Sequence, residues 1–92
     1  MRLFSREATR AVGAMPPHID AVMRAINSRL ALIKEGVRID TPWERSGVTV
    51  AIMGRCVYVM STSESLVGRL ESHYGRYVQR EGARELTIVP AA

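Results

Sequence analysis

The side chains best suited to chemistry in this sequence are few. It holds two histidines, His18 and His73, and one cysteine, Cys56. A structural zinc site draws four Cys or His ligands at short, regular spacings, and no such cluster occurs here. Nucleophilic catalysis needs a thiol or hydroxyl held beside a base. Cys56 with His73 would be the one such pair. Cys56 falls in an alternating apolar run and His73 in a helical one, so no local geometry joins them. A lone cysteine in a strand behaves as a small core hydrophobe. The carboxylates are scattered among expected caps and turns, and no two are spaced for acid–base work. There is no Walker loop and no dinucleotide fingerprint. The reading is of a chain that is not an enzyme and takes no metal and no cofactor.

Arginine chemistry is better represented. Twelve arginines stand against one lysine, and the formal net charge is +4. A basic balance admits nucleic acid or another anionic surface as partner, although genome composition enriches arginine as readily as phosphate contacts do. The most pointed series is Arg69, His73, Arg76 and Arg80, which share one flank of a helix if residues 61–82 are helical. Guanidinium forks suit phosphates. With one Phe, one Trp and three Tyr, a platform for stacking several bases is poorly supported.

The stretch 61–82 has the strongest marks of a helix. Ser61 followed by Glu64 reads as a capping box, and Gly82 stands where a left-handed C-terminal cap belongs. Between them Leu66, Val67, Leu70, Tyr74, Tyr77 and Val78 recur at helical spacing. Opposite this apolar face fall Ser65, Gly68, Ser72, Gly75 and Gln79. Two glycines on the outer face of a helix cost roughly 1 kcal/mol each against alanine. A strip of such small side chains lets another backbone come close, and it marks Ser65, Gly68, Ser72 and Gly75 as candidate partner contacts.

The remaining elements must position these faces. At 92 residues, 47% of them hydrophobic and 24% charged, the chain reads as one globular domain over 1–92. No apolar run reaches the ~18 residues of a membrane span. The N-terminus lacks a secretory apolar core, and one cysteine fits a reducing compartment, so a cytoplasmic location is expected. Residues 3–12 read as a short helix with Leu3, Phe4, Ala8, Ala11 and Val12 on one side and Arg2, Arg6 and Arg10 on another. Too short to stand alone, the segment 1–13 must pack on, or swap from, the 17–92 core. A second helix runs from Pro17 to Glu35 on the stripe Ile19, Val22, Met23, Ile26, Leu30 and Ile33, and Gly36 stops it. Val37–Asp40 alternates as a short strand, and Trp43–Gly47 reads as a loop with Trp43 as a lid on the core.

Residues 48–60 are the expected sheet nucleus. Gly54-Arg55 fits a two-residue turn with glycine first. That turn sets Met53 opposite Cys56 and Val50 opposite Val59. Val48, Val50, Ile52, Val57 and Val59 then share one face, while Thr49, Ala51, Met53, Cys56, Tyr58 and Met60 share the other. Glu85–Val89 is a last strand, parallel to a neighbour if the preceding helix is a crossover. The expected fold is α+β, in the order α-α-β-β-β-α-β, with a three- to four-stranded sheet and helices mainly on one face. The helix–strand–strand–helix–strand part is similar in element order to KH-like domains, but the GxxG phosphate clamp is missing.

That architecture leaves a sheet face bearing Met53, Tyr58 and Met60 without a helix to cover it. A contiguous apolar patch on a small protein marks a contact, and methionines adapt to a partner's shape. The expected function is a non-enzymatic protein-interaction module: an adaptor, a regulator or inhibitor, or a structural subunit. It would dock through this face and the Gly/Ser strip, to a protein partner or to a second copy. The alternative is a nucleic-acid-binding module using Arg69, His73, Arg76 and Arg80.

Overall fold

The computed structural model describes residues 17–91. The expected N-terminal helix over 3–12 lies outside them. The chain opens with α1 (Pro17–Lys34), continues through β1 (Trp43–Arg45), β2 (Val48–Met53) and β3 (Cys56–Ser61), and then forms α2 (Glu64–Tyr74). A single 3-10 turn (Gly75–Tyr77) leads into β4 (Val78–Gly82) and β5 (Glu85–Ile88). The five strands form one antiparallel sheet in the order β1-β2-β3-β5-β4. The class is the α+β expected, with more strand and less helix.

α1 forms where the apolar stripe predicts it. Ile19, Val22 and Ile26 are buried, and Leu30 and Ile33 pack half-buried at its end. The helix closes in a Schellman motif. The Val37 amide donates to Leu32 O at 3.0 Å and the Gly36 amide to Ile33 O at 2.9 Å, with Gly36 at φ 90°. The strand expected over Val37–Asp40 does not form. Ile39 is exposed, so its alternation has no face to bury. Arg29 holds this stretch as coil instead, with Nε on the Asp40 carboxylate at 2.7 Å and a terminal nitrogen on Thr41 O at 2.8 Å.

The β2–β3 hairpin has the expected register, from Met53 opposite Cys56 to Val48 opposite Ser61. Gly54 has φ 65° and Arg55 is not left-handed, which matches a glycine-first turn. Trp43–Arg45 is a strand rather than a loop. It pairs with Val48–Val50 through a tight turn in which Ser46 and Gly47 both have positive φ, 52° and 78°. That is the backbone of a type I′ hairpin. Trp43 still lies half-buried against the core.

The largest departure is at the helix expected over 61–82. It is half that length, Glu64–Tyr74, and both ends differ. Ser61 stays in the sheet, paired with Val48, and its amide donates to Arg84 O at 2.9 Å. Its buried hydroxyl accepts from the Ser63 amide at 3.0 Å. The N-cap is therefore Ser63, whose Oγ accepts from the Leu66 amide at 3.3 Å. Ser63→Ala should cost about 1 kcal/mol, the usual loss for a serine cap. An unchanged urea midpoint for that variant would return the cap to Ser61.

At the other end Gly75 stops α2 at φ 58°, ψ −125°. Val78–Gly82 then forms an edge strand that hairpins into β5 through Ala83-Arg84. β5 pairs with both β3 and β4, antiparallel to each, not parallel as the crossover argument expected. β3 and β4 are the two strands that run parallel, and the helical crossover joins them with β5 lying between. The short β1 and the bulged β4, irregular between Arg80 and Gly82, are the two edges.

Both helices lie on one face of the sheet, α1 on β2 and β3, α2 on β3, β5 and β4. The core lies between these layers. It joins Ile19, Val22, Ala25 and Ile26 to Val48, Val50, Val57, Val59, Leu66, Val67, Leu70, Leu86 and Ile88. Tyr74, expected inside, is half-buried at the helix–helix contact, where its hydroxyl donates to Asn27 Oδ1 at 2.9 Å. Burial pushes its phenol up to about 12.

Candidate docking face

Strand alternation decides what the other face of the sheet carries. Residues opposite each other in an antiparallel pair share a face. One rung sets Ala51, Tyr58, Thr87 and Gln79 side by side, and the next sets Thr49, Met60 and Glu85. At the far end Met53 faces Cys56. Beyond the ladder the Val89 amide donates to Tyr77 O at 2.7 Å and closes the end of β4 onto β5. Among the described residues no helix packs here. Two exposed large hydrophobic side chains among the described residues lie on this face, Met53 (60%) and Met60 (44%).

The face is also acidic. Glu44, opposite Thr49, Glu85, opposite Met60, and Glu81 all project from it. The Tyr58 hydroxyl donates to Glu85 Oε1 at 2.5 Å, and the Thr87 hydroxyl to Glu81 Oε2 at 3.3 Å. The hydrogen bond to Glu85, partial burial, and the negative charges of Glu85 and Glu81 all raise the Tyr58 phenol above its ordinary range. Tyr58 therefore stays neutral, and its hydroxyl is tied to Glu85 across the β3–β5 pair. The two strand arginines, Arg45 opposite Val48 and Arg80 opposite Leu86, point to the helix side. Acid and base are thus sorted onto opposite faces of the sheet.

The second expected surface is only partly assembled. Ser65, Gly68 and Ser72 do line a shallow groove on α2, with Arg69 and His73 on its flank, of about 570 Å3. Gly75 is outside it, because it is the helix stop, and Gln79 belongs to β4 on the sheet. The basic row Arg69, His73, Arg76, Arg80 is broken in the same way. Arg76 leaves the helix and stacks over the Tyr77 ring at 5.4 Å. Arg80 pairs with the Glu71 carboxylate and donates to Gly82 O and Ala83 O, so it holds the β4–β5 turn. Arg69 and His73 remain together on α2.

Sequence reasoning reached Met53, Tyr58 and Met60 through the hairpin register. It missed Glu81 and Glu85, which join them only because β4 and β5 complete the sheet. Part of the signal was present: Glu85–Ile88 alternates, but Val78–Gly82 holds a single apolar residue and gives no alternation. Among the described residues no three His, Cys, Asp or Glu side chains converge as metal ligands, and no helix is long and apolar enough to cross a membrane. No protein-family model, no curated protein and no solved structure matches the chain.

Proposed function

We propose that this chain is a small, non-enzymatic protein-interaction module of the cytoplasm, acting as an adaptor, a regulator or inhibitor, or a structural subunit. Its docking surface is the open sheet face, with Met53, Tyr58 and Met60 spread along the β2–β3 hairpin and Glu44, Glu81 and Glu85 on the strands around it. One observation supports this above the others: both helices are used on one side of the sheet, and the exposed methionines lie on the other. A solitary small protein hides such a patch or uses it. The groove of Ser65, Gly68 and Ser72 on α2 is a secondary contact, where the missing side chains admit a close backbone. Nucleic-acid binding through Arg69, His73, Arg76 and Arg80 has less support, because Arg80 is occupied by Glu71 and Arg76 lies off the helix.

Joint replacement Met53→Glu and Met60→Glu tests the face. Both side chains are exposed, so stability should fall by no more than about 1 kcal/mol per site, the larger loss at residue 60 where the new carboxylate stands opposite Glu85. Association, followed by light scattering at micromolar concentration, should be lost. A wild-type chain that is strictly monomeric and binds no apolar dye would remove the docking face from consideration.

A further inference from the structure

We infer that the end of the molecule where α1 meets the β2–β3 turn binds a free, single-chain aliphatic carboxylate, its chain in an apolar cleft and its head on a cationic rim. The site uses none of Met53, Tyr58 and Met60 and goes beyond the docking reading above. The cleft measures about 770 Å3, within the roughly 300–1,000 Å3 of small-molecule sites. Val57 and Ile88, paired and buried, are the core residues of their strands nearest to it. Beyond them its walls are Leu30, Ala31 and Ile33 from the end of α1, and Val89, Pro90 and Ala91 from the chain that follows β5. Val89 is one of the exposed large hydrophobic side chains of the domain, and this cleft is what it lines.

The walls select the body of the ligand. No aromatic ring and no hydroxyl or amide side chain lines the cleft. Nothing there would stack on a base or orient a polar body by hydrogen bonds. A flexible aliphatic chain asks for neither, and its burial against such walls is favourable in proportion to the area removed from water.

The rim selects the head. A smaller cleft of about 140 Å3 adjoins the first and shares Ile33, Lys34 and Arg55 with it. Arg38 also lines the smaller cleft, so three cations gather at the junction. No Asp or Glu lines either cleft, and among the described residues none of the three cations makes an ion pair. Glu35 follows Lys34 in the chain but belongs to neither wall. Long basic side chains lay their stems on apolar surface and keep their charges at its edge, and an arginine fork matches a carboxylate. The C-terminal end of α1 carries partial negative charge, which acts against an anion here. Three full cations outweigh it, and the Leu32 and Ile33 carbonyls are already taken by the Val37 and Gly36 amides. An anion with an apolar tail is the ligand that satisfies rim and walls together.

The test titrates the whole chain with octanoate, decanoate and dodecanoate below their micelle concentrations and follows amide shifts by NMR. Shifts should concentrate at Ile33, Lys34, Arg55, Cys56, Val89 and Ala91. Affinity should rise about two- to fourfold for each added methylene. Acetate, the head without the chain, and dodecylammonium, the chain with the wrong charge, should leave these amides in place. Cys56, half-buried and lining the cleft, should label more slowly with maleimide when dodecanoate is bound. Lys34→Gln with Arg55→Gln removes charge at two exposed positions and should weaken dodecanoate binding roughly tenfold or more. Ala31→Phe, also at an exposed position, fills the cleft, leaves the charges and should weaken it as much. Equal binding of dodecanoate and dodecylammonium, no dependence on chain length, or unchanged affinity in both variants would overturn the inference. So would shifts at these amides that follow protein concentration alone, since a second copy would then fill the cleft. Binding to vesicles of anionic lipid without any response to monomeric dodecanoate would overturn it too, in favour of a membrane surface.

Discussion

Truncating Leu70 to alanine should destabilise the domain by about 2–5 kcal/mol, the range for a buried aliphatic side chain replaced by a methyl group. Leu70 is fully buried on α2, in the layer facing β3, β5 and β4. Ile26→Ala should fall in the same range from the other half of the core, since Ile26 is fully buried on α1 above β2 and β3. A domain of this size holds only about 5–15 kcal/mol in all, so either change takes a large share. Urea unfolding followed by circular dichroism measures the loss. A midpoint within experimental error of wild type for Leu70→Ala would mean that α2 presents a different face to the sheet.

The same substitution at two glycines should have opposite signs. Gly68→Ala should stabilise the domain by up to about 1 kcal/mol, because it adds helix propensity at an ordinary helical position, and a Cβ there meets nothing within 4 Å. Gly75→Ala should destabilise it by about 1–3 kcal/mol. Open space also surrounds Gly75, so sterics with neighbours are not the reason. Its backbone, at φ 58° and ψ −125°, is one that L side chains avoid. That turn is what converts the end of α2 into the entry to β4. Thermal unfolding of the two single variants reads the difference directly. Stabilisation by Gly75→Ala would mean that α2 continues past this residue.

These two glycines also show where the sequence was readable. The β2–β3 hairpin was legible to the residue, because a glycine-first turn fixes register and the alternation on either side agrees with it. α1 was legible from its stripe and from Gly36. The region after Leu70 was not. Tyr74, Tyr77 and Val78 continue the helical spacing of Leu66 and Leu70, so periodicity carried the helix past Gly75 and turned a backbone stop into an apparent surface gap. Tyr77 and Val78 are also good strand formers, and pairing with β5, a tertiary event, made the choice. The expected strand at Val37–Asp40 failed for the opposite reason: alternation was present but no surface was there to bury Ile39. Half of the docking face was therefore visible in the hairpin. Its acidic residues were hidden because Glu44 was read into a loop, Glu81 into a helix and Glu85 into a strand of another orientation.

The edges of the sheet bear on how this protein fails as well as how it folds. β2, Val-Thr-Val-Ala-Ile-Met, and β3, Cys-Val-Tyr-Val-Met-Ser, are uncharged, free of proline and rich in strand formers, the composition of segments that stack into cross-β fibrils. On one side they are sealed by β5 and by the bulged, charged β4, which resists further pairing. On the other side, among the described residues, the only cover for β2 is the three-residue β1. Three rungs are a thin seal, and fraying there lays bare the whole length of β2 without disturbing the helices. Turbidity on storage or heating should therefore follow the opening of Trp43–Arg45 rather than global unfolding, and the tight turn at Ser46-Gly47 that folds β1 back becomes a guard against fibril growth.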